Sequence, residues 1–161
     1  MRRRIQIREK ENGKSFSFEK LSNEQIAWLA GIFQAEAYFF LDSRIRSKAN
    51  PSDYKHPPPI PGVKLEMIEE DLMFVIGNYL DVKVTTQKRK TTANNTVYRI
   101  LFQNRKKVEV FLKTIYPFII GQKSRKKIEE LLKTCDDYNQ WVLEGGEIKG
   151  CKICGRSKIR S

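Results

Sequence analysis

Three residues with almost no side chain, Ala27, Gly31 and Ala35, recur every four positions and so fall on one stripe of a helix. Such a stripe lets a second helix approach backbone to backbone. The larger residues Ile26, Trp28, Leu29, Ile32 and Phe33 spread round the remaining surface. A helix apolar on most sides is expected to be buried all round, with one partner at very close range. Its start is marked by Ser22 and Gln25, which have capping-box spacing, flanked by Leu21 and Ile26 at the staple positions. The helix is expected over 23–35, with a strand beginning at Tyr38. A carboxylate, Glu36, therefore stands where a buried helix ends and a strand starts.

The rest of the chain alternates between strand and helix patterns. Over 38–48, Phe39, Leu41 and Ile45 share one face, and Asp42, Arg44, Arg46 and Lys48 the other. Five prolines over 49–62 make a stiff loop, which also holds His56. A lone loop histidine is given no catalytic role, and with a single histidine in the chain a histidine-centred nuclease motif is excluded. A second strand is expected over 63–67, then a helix over 69–80 with Leu72, Val75, Ile76 and Leu80 on its inner stripe. The acidic group Glu66, Glu69, Glu70 and Asp71 is read as favourable charge at that helix start rather than as a metal site. A third strand is expected over 82–90, with Lys83, Thr85, Gln87 and Arg89 on one face. A fourth is expected over 96–103, with Tyr98, Ile100 and Phe102 opposite Arg99 and Gln103. Asn104 caps a helix to about Tyr116, with Val108, Phe111, Leu112 and Ile115 inward, and Pro117 ends it. The last helix is expected over 124–142.

The fold class that follows is α+β, in the order α–β–β–α–β–β–α. One antiparallel four-stranded sheet carries helices on one face. The other face offers Arg44, Arg46, Lys48, Lys83, Gln87, Arg89, Arg99 and Gln103. An antiparallel ribbon fits the major groove of B-DNA, where Arg reads guanine and Gln reads adenine. Net charge points the same way: +12 over 161 residues suggests a polyanion partner.

The stretch LAGIFQAEA, residues 29–37, resembles the signature motif of the LAGLIDADG homing endonucleases. Leu29, Ala30, Gly31 and Ile32 match its first four positions, Phe33 the apolar fifth, Ala35 the seventh and Glu36 the acidic eighth. Gln34 replaces the usual acid, and Ala37 the usual glycine. The resemblance runs over about 21–132, including Tyr116, Pro117 and Phe118 followed by a Lys/Arg-rich helix start. It implies a site-specific double-stranded DNA endonuclease of the single-motif, homodimeric type, active in intron homing. The target it implies is long and pseudo-palindromic, cut to leave short 3′ overhangs. It implies that Glu36, with Ala35 beside it, holds Mg²⁺ or Mn²⁺, and that a basic residue works near the start of the last helix. Lys123 is the choice for that role, with Gln122 one register away as the alternative. Ala27, Gly31 and Ala35 would form the dimer interface. One carboxylate makes a poor metal site, and two brought together by a two-fold axis make a plausible one.

Two other classes stay open: a cleavage-inactive DNA-binding protein or intron-splicing maturase on the same scaffold, and a basic structural or regulatory protein. The small-residue stripe speaks against the last. The organisation expected is a basic arm over 1–20, the endonuclease domain over 21–143, and a basic tail over 144–161. The tail carries a single CxxC, Cys151 and Cys154, read as disordered or as the remnant of a zinc knuckle. Three cysteines make no disulfide framework, and no stretch approaches the roughly 20 apolar residues of a membrane span. No signal-peptide pattern precedes the domain, so an intracellular, membrane-free setting is expected.

Overall fold

Ser22 opens the first helix as the spacing predicts. Its Oγ accepts from the Gln25 N–H at 3.2 Å, and the Gln25 Oε1 accepts from the Ser22 N–H at 2.9 Å. In the computed structural model, which describes residues 16–43, 57–88 and 95–144, this helix, α1, spans Asn23–Glu36. Strand β1, Ala37–Asp42, follows with no intervening loop. Ala37 lies at φ −82° and ψ 151°, ordinary extended backbone, and its N–H still bonds the Phe33 carbonyl. A glycine is therefore not needed at the ninth position of the motif.

The other elements are β2 (Ile60–Met67), α2 (Glu70–Leu80), β3 (Thr85–Lys88), β4 (Thr96–Phe102), α3 (Arg105–Ile115) and α4 (Gln122–Leu143). A 3₁₀ turn, Tyr116–Phe118, holds Pro117 between α3 and α4. The four strands form one antiparallel sheet in the order β1-β2-β4-β3. Alternation gives the sheet two unlike faces. Phe39, Val63, Leu65, Ile100 and Phe102 point into the core beneath the helices. The opposite face is open, with Tyr38 at 61% and Leu101 at 43% exposure. This is the α+β, helices-on-one-face architecture that the strand patterns imply, with α4 as an added helix.

Phe111 of α3 sits at the centre of the core. Its ring meets Phe33 at 4.9 Å, Phe102 at 5.3 Å and Phe18 at 5.5 Å, all edge to face. Phe18 belongs to a 3₁₀ turn, Ser17–Lys20, in the stretch assigned to the basic arm. Its 1% exposure shows that this turn packs onto the domain. Burying a side chain of that size stabilises by about 1.5–3 kcal/mol.

Two expectations need correction. The inner stripe of α2 is Met73, Ile76, Gly77 and Leu80, while Val75 is exposed and Leu72 only half-buried. Both stripes have helical spacing, and periodicity could not choose between them. The choice is made by Gly77, whose missing side chain leaves room for the segment after the helix. A Cβ there would lie 2.7 Å from Val84 Cγ2 and 2.9 Å from the Val82 carbonyl oxygen. The second correction concerns β3, which the same packing shortens, because Val82 bonds back to the Gly77 carbonyl at 3.0 Å instead of joining the sheet. In α1, Ile26, Leu29, Ala30 and Phe33 are buried within the chain, and Trp28, Ala35 and Glu36 are left exposed.

Among the described residues no helix is long and apolar enough to cross a membrane. Arg44, Arg46, Lys48, His56, Arg89, Cys151, Cys154 and residues 1–15 lie outside the described residues.

Candidate active site and nucleic-acid interface

Ala35 and Glu36 are the last residues of α1, and both are exposed. The final carbonyls of a helix lack intrahelical partners and form the negative end of its dipole, which favours a cation. A carboxylate beside such carbonyls offers oxygen donors only, the set that suits a hard divalent ion. A single chain supplies too few of them. Among the described residues no group of three or more His, Cys, Asp or Glu is placed to hold a metal. The acidic set before α2 is dispersed: Glu66 is on the sheet, Glu69 is the N-cap residue, and Glu70 and Asp71 lie in the first helical turn.

Gln34 connects Glu36 to the other expected site residues. Its Oε1 accepts from the backbone N–H of Ile120 at 3.0 Å and of Gly121 at 3.1 Å. Ser124 Oγ donates to the Gln34 carbonyl at 3.4 Å. Gly121 is the N-cap of α4 and has no side chain to cap with; Gln34 binds its N–H and that of Ile120, just ahead of the helix, and so ties the start of α4 to α1. Gln122 and Lys123 are the first residues of α4, both exposed, and this tether brings them to the end of α1 that carries Glu36. Arg125 secures the turn from the other side: its Nη1 donates to the Ile119 carbonyl at 2.9 Å, and its guanidinium lies 4.6 Å from the Tyr116 ring centre. The motif pattern gave Gln34 no task, and its contacts are with residues more than eighty positions away.

The small-residue stripe is open. Among the described residues, a Cβ built on Gly31 would meet nothing within 4 Å outside the backbone of its own helix. Ala27 and Gly31 are half-buried, Ala35 is exposed, and Trp28 beside them is 40% exposed.

The open sheet face holds three of the side chains expected to read bases. Gln87, Arg99 and Gln103 lie on it. Lys83 is exposed but sits in the irregular lead into β3. Arg99 is engaged: its Nε donates to Glu66 Oε1 at 2.6 Å, and its Nη2 reaches the same oxygen at 2.6 Å and Gln87 Oε1 at 2.5 Å. Lys64 lies 3.8 Å from the other Glu66 oxygen. Gln103 Nε2 stands 3.5 Å from Asp42 Oδ2, a long hydrogen bond. Near the edge, Tyr38 stacks on Phe40 at 5.6 Å, with the Lys64 ammonium 5.7 Å from the Tyr38 ring centre. The far end of the Phe40 ring lies over Gly62, where a Cβ would be 2.4 Å from Cζ. The face is thus a mosaic of cations, aromatic rings and the carboxylates of Asp42 and Glu66. Glu66 was grouped by sequence with the acids that follow it, and only the register opposite Arg99 shows its true neighbours.

No protein-family profile matches the sequence, and no curated protein does. Solved structures do resemble it. The DNA complex of the group I intron-encoded homing endonuclease I-CeuI aligns with 78% of this chain and 60% of its own, at 15% identity and a TM-score of 0.54. The homing endonuclease I-CvuI, in complex with its target, aligns over 85% of both chains at 15% identity and a TM-score of 0.51. The homing endonuclease I-TnaI aligns with 84% of this chain and 89% of its own, at 12% identity and a TM-score of 0.51. With the motif helix, the antiparallel sheet and these likenesses together, the chain has the LAGLIDADG homing-endonuclease fold with a single copy of the motif.

Proposed function

We propose that this protein is a site-specific, divalent-metal-dependent endonuclease of double-stranded DNA that works as a homodimer. The observation that carries this reading is the placement of Glu36. It stands exposed at the end of a helix whose small-residue stripe is left open, tethered through Gln34 to the first turn of α4. Packing two copies along Ala27, Gly31 and Ala35 would bring both Glu36 carboxylates to the same end, meeting the need for more than one carboxylate. The known structures lend support: I-CvuI was studied on DNA in the presence of magnesium and of calcium, and I-CeuI with DNA.

In this reading Glu36 and the Ala35 carbonyl of each copy hold Mg²⁺ or Mn²⁺. When bound, the metal neutralises phosphate charge and activates water. Lys123 adds a cation on the same side, and Gln122 is the alternative occupant of that role. Gln87, Arg99 and Gln103 face the groove, joined by Lys83 and by Arg44, Arg46, Lys48 and Arg89. The substrate is a long, pseudo-palindromic duplex cut with short 3′ overhangs.

The test is Glu36→Gln, which keeps size and removes the charge a metal needs. Both copies in a dimer lose their carboxylate together. Cleavage of a site recovered from a duplex library should fall to background in Mg²⁺, with binding kept. Ca²⁺ should support binding by wild type without cleavage, because it accepts looser geometry. A Glu36→Gln protein that cuts as fast as wild type would overturn Glu36 as the metal ligand. A wild type that binds one sequence and never cuts it would favour the inactive or maturase reading.

A further inference from the structure

The carboxylate of Glu66 has no place in the proposed cleavage chemistry, yet it sits on the sheet face proposed to meet DNA, on the inner strand β2 one residue from its end. It lies on β2 opposite Arg99 of β4, which lies opposite Thr85 of β3, with Gln87 two residues further along. An acidic group aimed at a polyanion weakens binding unless it does something else. Resting on the reading of this face as the groove-binding surface, we infer that Glu66 determines specificity by holding Arg99, with Gln87 as a placeholder for the base that Arg99 reads.

The geometry supports this division of roles. The side-on edge of the guanidinium, Nε with Nη2, is taken by Glu66 Oε1, both atoms at 2.6 Å. The second Nη2 hydrogen goes to Gln87 Oε1. Both Nη1 hydrogens have no partner among the described residues. The end-on edge, Nη1 with Nη2, is therefore half occupied by one neutral amide oxygen. Guanine offers O6 and N7 together to such an edge and gives back more than Gln87 supplies. A backbone phosphate instead meets a cation whose charge is already offset by a carboxylate. Arg99 and Glu66 keep only 33% and 25% side-chain exposure, so the pair is partly shielded from water and salt. The arrangement discounts indiscriminate phosphate binding and favours a base with two acceptors. Lys64, 3.8 Å from the second carboxylate oxygen, steadies Glu66 from the other side.

The experiment has two arms. In the free protein, the Arg99 Nε–H resonance should be visible and protected from exchange in wild type and lost in Glu66→Gln. An unchanged resonance overturns the inference without reference to DNA. In the second arm, wild type, Glu66→Gln, Arg99→Ala and the double variant are each selected against a library of random duplexes. Affinities for the wild-type site and for random sequence are then compared. Glu66→Gln should raise random-sequence affinity and lower the specific-to-random ratio about tenfold, the size of one bidentate base contact. In the Arg99→Ala background it should leave the ratio unchanged. Equal changes in both affinities, or the same fall in ratio without Arg99, overturn the inference and leave the proposed function standing. A wild type that enriches no sequence overturns both.

Discussion

Glu36 and Cys135 show how position decides what a side chain is for. Glu36 is exposed at a helix end, as its proposed role as metal ligand requires. Cys135 of α4 keeps 2% of its surface, and burial pushes its thiol up to about 11 from an ordinary 9.0, helped by the charge of Glu109 nearby. The sign of the consequence is fixed. Below about pH 9 the thiol is protonated whether the chain is folded or not. Between pH 9 and 11 the unfolded chain releases the proton and the folded chain keeps it, so stability falls as pH rises through that window. The urea midpoint of wild type should drop from pH 9 to pH 11 more than that of Cys135→Ala, in which the titration is absent. Equal drops in the two proteins would show that other groups cause it.

At the scale of elements, α2 depends on a glycine that helix propensity alone would remove. Gly→Ala inside a helix ordinarily stabilises by about 1 kcal/mol. At Gly77 a methyl group would lie 2.7 Å from Val84 Cγ2 and 2.9 Å from the Val82 carbonyl. One of those neighbours is backbone, held by the Val82 N–H bond to Gly77, and cannot swing aside. Gly77→Ala should therefore destabilise, by about 1–3 kcal/mol as for overpacked cores. Thermal unfolding measures it, and a raised midpoint would mean the segment after α2 moves away freely.

At the scale of the molecule, the open face of α1 is the feature that asks for a partner. Gly31 differs from Gly77 in having empty space where its side chain would be. A Cβ there meets nothing within 4 Å among the described residues, so a larger side chain is expected to disturb a second subunit before it disturbs its own chain. Gly31→Leu should thus give a folded protein with the circular dichroism of wild type that sediments as a monomer, while wild type sediments as a dimer at micromolar concentration. A Gly31→Leu dimer would remove this stripe as the interface. A monomeric wild type would remove the shared active site as well.

The local physics of this chain was legible in its sequence. The capping box at Ser22 and Gln25, the Asn104 cap that accepts from Lys107 at 3.0 Å, and the strand alternations depend on neighbours a few positions apart. So does the place of Glu36 at a helix end. Contacts across the chain were not legible, because spacing says which residues share a face and not what lies opposite. Periodicity offered two stripes for α2, and Val84 against Gly77 chose between them. Phe18 read as part of a basic arm until the ring of Phe111 claimed it. Gln34 read as a variable position until the N–H groups of Ile120 and Gly121 came within reach. Glu66 read as one of a run of acids until the β2–β4 register set it against Arg99. Sequence determined the elements and the residue that ends the motif helix; tertiary structure decided the pairings, because a charge, a gap or an unpaired N–H acquires its partner only when distant segments meet.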